Sequence, residues 1–225
     1  MIRFEGISKT YKNGVRALEE VDFEVKDGEF VFLIGPSGAG KTTLFKILYG
    51  EERPDAGEVY FGETSVGSLN RNELSLLRRK MGIIFQDFKL LPTSSVFENV
   101  ALVLEVLGVA PTEIEEKVAK ALELVGLVGK ERSFPWQISG GERQRVAVAR
   151  AIVANPVLIL ADEPTAEVDP TLTWGLMEIF ERINELGTTI MIATHDSEIV
   201  NSMKKRVAKL DSGRLVKDDK KGNYV

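Results

Sequence analysis

The segment Gly35-Pro-Ser-Gly-Ala-Gly-Lys41-Thr42-Thr43 constrains this chain more than any other feature. It fits G-x-x-x-x-G-K-[ST], and it lies between the apolar run 30–34 and a helical pattern over 41–48. A continuous apolar run is the pattern of a strand buried on both faces of a sheet. The glycines let backbone N–H groups converge on phosphate oxygens, and the following helix directs its positive end at an anion. Gly35, Pro36, Ser37, Gly38, Ala39, Gly40, Lys41, Thr42 and Thr43 are therefore predicted to cradle nucleotide phosphates, with Lys41 reaching the β- and γ-phosphates and Thr42 holding Mg²⁺.

A second apolar run, 157–161, ends in Asp162-Glu163-Pro164. Two carboxylates at the end of a buried strand, downstream of a phosphate loop, suit one for Mg²⁺ (Asp162) and one for deprotonating an attacking water (Glu163). Residues 2–7 and 21–25 alternate like half-buried strands, and 188–194 is a third β-rich run. The middle is helical: 96–107 carries apolar residues at helical spacing, 112–115 reads as a capping box opening a helix through 125, and 143–153 is another helix. An amphipathic pattern over 172–186 stops at Gly187. Strand, helix, helical insertion, strand, helix, strand predicts an α/β fold with a mostly parallel sheet. Residues 1–225 are expected to form a single folding unit, with a helical lobe at about 87–155.

Composition narrows the chemistry. Cysteine is absent and His195 is the only histidine, which excludes disulfide frameworks, zinc knuckles and two-histidine catalysis. A net charge of −5 argues against a nucleic-acid surface, although residues 201–225 carry eight basic and three acidic side chains. That basic end reads either as a solvated edge or as a patch for anionic lipid or an acidic partner. No apolar run approaches the roughly 20 residues needed to span a bilayer.

Ile138-Ser139-Gly140-Gly141-Glu142-Arg143-Gln144-Arg145 lies about twenty residues before the Asp-Glu pair. Ser139 and two glycines open a helix, a second anion-ready N-terminus. This segment resembles the signature of ATP-binding cassette (ABC) proteins, and the resemblance covers nearly the whole chain. It implies a P-loop NTPase core with an antiparallel β edge and an inserted helical subdomain, ATP as substrate and Mg²⁺ as cofactor. It further implies that Ser139, Gly140 and Gly141, with Asp169 of Ala166-Glu-Val-Asp169, contact ATP held by a second copy in a head-to-tail homodimer. Gln86 matches the glutamine that senses Mg²⁺ and the γ-phosphate, Tyr11 the aromatic that stacks on adenine, and His195 the switch histidine facing the γ-phosphate. Glu163, His195 and Lys41 are the expected catalytic set. Three departures stand out: Ile138 replaces the usual Leu, Glu142 replaces the common Gln, and Glu167 and Val168 replace the usual residues before Asp169.

Gln86-Asp-Phe-Lys-Leu-Leu-Pro92, with Val96-Phe-Glu-Asn-Val100 and the ending Arg214-Leu-Val-Lys-Asp, resembles the cell-division branch of that family. The branch implies a peripheral ATPase on the cytoplasmic face of the plasma membrane, paired with an integral membrane protein and coupled to cell-wall hydrolysis. Phe88, Leu90 and Leu91 form a small apolar cluster beside Gln86 and are the expected partner contact. Lipoprotein-release or macrolide-export ATPases, a soluble iron–sulfur assembly ATPase, and a scaffold switched by ATP binding alone are the alternatives.

Overall fold

The computed structural model describes residues 1–166 and 169–224, with only the backbone at 170 and 171. Strands β1 (Ile2–Thr10), β2 (Arg16–Val25) and β3 (Phe30–Ile34) precede helix α1 (Lys41–Leu48). Then come β4 (Ala56–Phe61), β5 (Thr64–Ser65), α2 (Arg71–Arg78) and β6 (Met81–Ile84). Helices α3 (Val96–Val106), α4 (Pro111–Leu124) and α5 (Gly140–Ile152) follow, with a 3₁₀ turn at Pro135–Gln137 before α5. The last elements are β7 (Leu158–Asp162), α6 (Pro170–Glu185), β8 (Thr189–Thr194), α7 (Ser197–Met203), β9 (Arg206–Asp211) and β10 (Arg214–Asp219). The chain divides into two compact units, 1–78 with 189–225, and 79–188.

The first unit holds two sheets. One is antiparallel, in the order β2-β1-β4-β5. In the other, β3 runs parallel to both β8 and β9, and β9 turns back antiparallel into β10. All five residues of β3 and all six of β8 are buried, as expected for strands covered on both faces. Leu44, Ile47 and Leu48 of α1 lie in the same interior. The β9–β10 hairpin was not legible as strands because charged residues interrupt it. Those charges are partly structural: Arg206 pairs with Glu29 at 2.5 Å and Asp218 at 2.8 Å, Arg214 with Glu19, and Lys217 with Asp219 at 3.0 Å.

In the second unit β6 and β7 pair in parallel, from Met81 opposite Leu158 to Ile84 opposite Ala161. Among the described residues, 87–155 contains helices and no strand, and α3, α4 and α5 pack on one another. The capping box expected at 112–115 is absent. Pro111 occupies the first helical position with Ala110 as N-cap, so Thr112 already lies inside α4. True capping boxes form instead at Ser95 with Glu98 and at Ser139 with Glu142. No helix among the described residues is long and apolar enough to cross a membrane.

Candidate nucleotide site

Each unit brings a group of the expected residues together at the carboxyl ends of paired parallel strands, where open α/β sheets bind ligands. In the first unit the last register pair of β3 and β8 is Ile34 with Thr194. The chain therefore leaves both strands at one level, into Gly35 on one side and His195 on the other. In the second unit the last pair of β6 and β7 is Ile84 with Ala161. Gln86 and the Asp162-Glu163 pair emerge there in the same way.

The loop from Gly35 owes its path to its glycines. Gly35 has φ +149°, and a Cβ there would sit 2.2 Å from the Leu210 carbonyl oxygen. Gly40 is the N-cap of α1 with φ +106°, and its Cβ would lie 2.4 Å from the Ala17 carbonyl oxygen. No acidic side chain occupies the first turn of α1, so the N–H groups and positive dipole of that turn face the loop without a competing carboxylate. Lys41 is buried, and its ammonium donates to the carbonyls of Gly35 at 2.7 Å and Pro36 at 3.2 Å. The lysine thus spans the mouth of the loop. Thr42 is exposed and Thr43 buried. The Tyr11 hydroxyl lies 3.2 Å from the Thr43 hydroxyl, so a tyrosine 32 residues upstream in the sequence reaches the phosphate-loop helix. His195 is exposed in a tight link: Asp196 N–H donates to Thr194 Oγ1 at 3.0 Å, and Asp196 Oδ1 caps α7 by accepting from Glu198 and Ile199 N–H.

Asp162 and Glu163 are both half-buried at the end of β7. Glu163 adopts φ +48°. A left-handed non-glycine residue costs on the order of 1 kcal/mol or more and tends to persist at functional sites. Asp169 is exposed and caps α6, its backbone carbonyl accepting from Leu172 and Thr173 N–H at 2.8 and 3.1 Å. Glu167 and Val168, the two departures preceding it, lie outside the described residues.

Ser139 is exposed at the start of α5. Its hydroxyl accepts from Glu142 N–H at 3.2 Å, and Glu142 Oε2 accepts from Ser139 N–H at 2.9 Å. Lys130 pairs with Glu142 at 3.0 Å. The carboxylate at this position is thus the reciprocal half of a capping box, a role that sequence reading passed over although the spacing S-x-x-E carries its signal. The hydrogen bond from Ser139, and secondarily Lys130, holds its carboxyl below the usual carboxylate range. A depressed carboxylate contributes stability above its unfolded-state pKa and loses it as pH falls through the lowered folded value. Glu142→Ala is expected to destabilise by about 1 kcal/mol near neutral pH, with the difference from wild type vanishing in acid. Urea melts at a series of pH values read this directly. Glu142→Gln should cost less, because the amide oxygen still caps.

The turn after β6 corrects one expectation. Phe88 is only 7% exposed, so it belongs to the interior rather than to a surface cluster; Leu91 is exposed and Leu90 half-buried. The ring of Phe88 lies under Arg143, 5.8 Å from its guanidinium carbon. Phe88 and Lys89 are consecutive left-handed residues, φ 57° and 50°. Their carbonyls accept from Arg150 at 2.6 Å each. Asn99, fully buried, accepts from Leu91 N–H at 2.7 Å and donates to the carbonyls of Leu91, Ser94 and Ser95. Sequence reading passed over Arg150 and Asn99, because neither spacing nor motif marks a side chain that acts on a distant turn.

Residues 18–166 match the family model described as ABC transporter. The chain belongs to the ABC transporter family, and it is an ATPase of the ABC type with the P-loop NTPase fold. It is 48% identical to the cell division ATP-binding protein FtsE of Bacillus subtilis over 100% of this chain and 98% of that one. It is 46% identical to FtsE of Mycobacterium tuberculosis (100% and 98%) and 45% identical to FtsE of Escherichia coli (96% and 97%). Among solved structures, it is similar to the dimeric post-hydrolysis state of the ATP-binding cassette MJ0796 bound to ADP and Pi. That likeness has TM-score 0.91 and 34% identity, covering 99% of this chain and 100% of that one.

Proposed function

We propose that the chain is the ATP-binding and hydrolysing subunit of an FtsEX-type cell-division complex, coupling ATP-driven closure of a homodimer to an integral membrane partner of the FtsX type that regulates cell-wall hydrolysis. The likeness to FtsE across essentially the full length carries this reading. The site chemistry supports it. The glycine loop and the α1 N-terminus hold the phosphates, and Lys41 moves its ammonium from the loop carbonyls to the β- and γ-phosphates. Tyr11 stacks on adenine. Glu163 takes a proton as the water oxygen attacks the γ-phosphorus in line and the bond to the ADP oxygen breaks. His195 and Gln86 contact the γ-phosphate, and Ser139, Gly140, Gly141 and Asp169 of one copy close over the nucleotide of the other.

Thr42, Asp162 and Gln86 supply hard oxygen donors of the kind Mg²⁺ takes, and they are the residues that would hold it. When bound, Mg²⁺ neutralises charge on the transferring phosphoryl group.

The protein acts at the cytoplasmic face of the plasma membrane, held there by its partner. Leu91 and Leu90, beside Gln86, form the apolar part of the partner groove. Purification of the tagged chain from native membranes is expected to bring down one multi-spanning membrane protein, and Leu91→Asp should reduce its recovery severalfold. Recovery of a soluble assembly complex instead would overturn the proposal, and undiminished recovery with Leu91→Asp would remove the groove from it.

A further inference from the structure

We infer that Arg150 is a positioning residue for hydrolysis, clamping the turn that carries Gln86 from the far end of the helix that begins at Ser139. This rests on the reading of Gln86 as a nucleotide-facing residue.

The turn from Gln86 to Leu91 is built in a conformation that its own residues disfavour. Phe88 and Lys89 both stand in the left-handed region, and neither is glycine, asparagine or aspartate. Within the turn Phe88 N–H donates to Phe85 O at 3.2 Å and Lys89 pairs with Asp87 at 2.6 Å; the carbonyls of Phe88 and Lys89 are held from outside it. The Arg150 fork donates to both strained residues, through Nη1 to Lys89 O and Nη2 to Phe88 O, each at 2.6 Å. These distances are those of strong charge-assisted hydrogen bonds. Burial lowers the Arg150 pKa, and the two carbonyl dipoles lie against its guanidinium. Arg143, one turn into the same helix, lies over the Phe88 ring. Asn99 of α3 fixes the outgoing end of the turn at Leu91.

Helix α5 has 13 residues, about 20 Å of rigid rod at 1.5 Å per residue. At one end it presents the exposed Ser139; near the other, Arg150 grips the Gln86 turn. A displacement of the turn is therefore a displacement of α5. The arginine fork holds the two adjacent carbonyls in one fixed plane; lysine, a point charge on a flexible stem, sets no such geometry.

The test compares Arg150→Lys, Gln86→Ala and the double variant with the full chain. Loss of the rigid fork is expected to lower the turnover of Arg150→Lys about tenfold, with KM for ATP nearly unchanged. Trypsin cleavage after the exposed Lys89 should accelerate by about the same factor as the turn opens. The double variant should turn over no more slowly than Gln86→Ala alone, because Arg150 acts through Gln86. Multiplicative losses, or an unchanged cleavage rate at Lys89, overturn the inference. Loss of ATP binding in parallel with turnover also overturns it, by making Arg150 a general fold element. Arg150→Gln, which keeps one donor, supplies the same comparison if Arg150→Lys does not fold. Full turnover by Gln86→Ala would instead sink the assignment of Gln86 itself, and the Lys89 cleavage rate tells the two failures apart.

Discussion

Glu163→Gln is expected to bind ATP as wild type does and to lose about 10²- to 10⁴-fold in turnover, the contribution of a positioned general base. The substitution changes no volume and leaves the backbone strain at this position as it is, since glutamine meets the same φ of +48°. Melting temperature should therefore stay at the wild-type value while single-turnover hydrolysis collapses. Glu163 stands one residue beyond β7, and the proposed function gives it the base's role and Asp162 the metal's. Wild-type turnover by this variant removes Glu163 from the mechanism.

Gly40→Ala should have a large effect on the fold of the site. The new methyl group would lie 2.4 Å from the Ala17 carbonyl oxygen and 2.7 Å from Leu18 Cδ2, at φ +106°. The nearest obstacle is backbone of β2, at Ala17 between the Leu18–Lys9 and Arg16–Thr10 pairs with β1, and backbone yields less readily than the end of a flexible side chain. Overpacking and left-handed strain together are expected to cost about 3 kcal/mol or more, and nucleotide binding should disappear. Gly38→Ala is the matched control. Its φ is +79° but its Cβ meets nothing within 4 Å, so strain alone remains, about 1 kcal/mol. Guanidinium denaturation with a nucleotide titration reads both variants. Equal stability of Gly40→Ala and Gly38→Ala would mean that the loop does not pass where the structure places it.

The parts legible in the sequence were those governed by local rules. The all-apolar runs of β3, β7 and β8 announce buried strands, and the glycine spacing from Gly35 to Gly40 announces the loop between strand and helix. Glu163 was read from its place at the end of an apolar run and His195 from the family resemblance; the parallel registers pair the strands that lead to them, β7 with β6 and β8 with β3. What escaped reading depends on contacts between distant segments. Phe88 looks like a surface apolar residue until Arg143 is seen above it, and the left-handed pair at Phe88 and Lys89 has no sequence signal without Arg150 beneath their carbonyls. The hairpin of β9 and β10 reads as a basic tail until Glu29 and Glu19 are brought to Arg206 and Arg214. The helix at Pro111 shows the opposite error: a good local pattern, T-x-x-E, displaced by a proline that fixes the helix start two residues earlier.

The proposed function builds its ATP site from two copies, with the loop at Lys41 from one and the α5 N-terminus at Ser139 from the other. Light scattering on Glu163→Gln with and without saturating ATP tests this most directly. The predicted result is a change from one chain to two on adding ATP, abolished when Ser139→Arg is introduced into the same variant. A mass of one chain at saturating ATP, or a dimer that Ser139→Arg leaves intact, would contradict it.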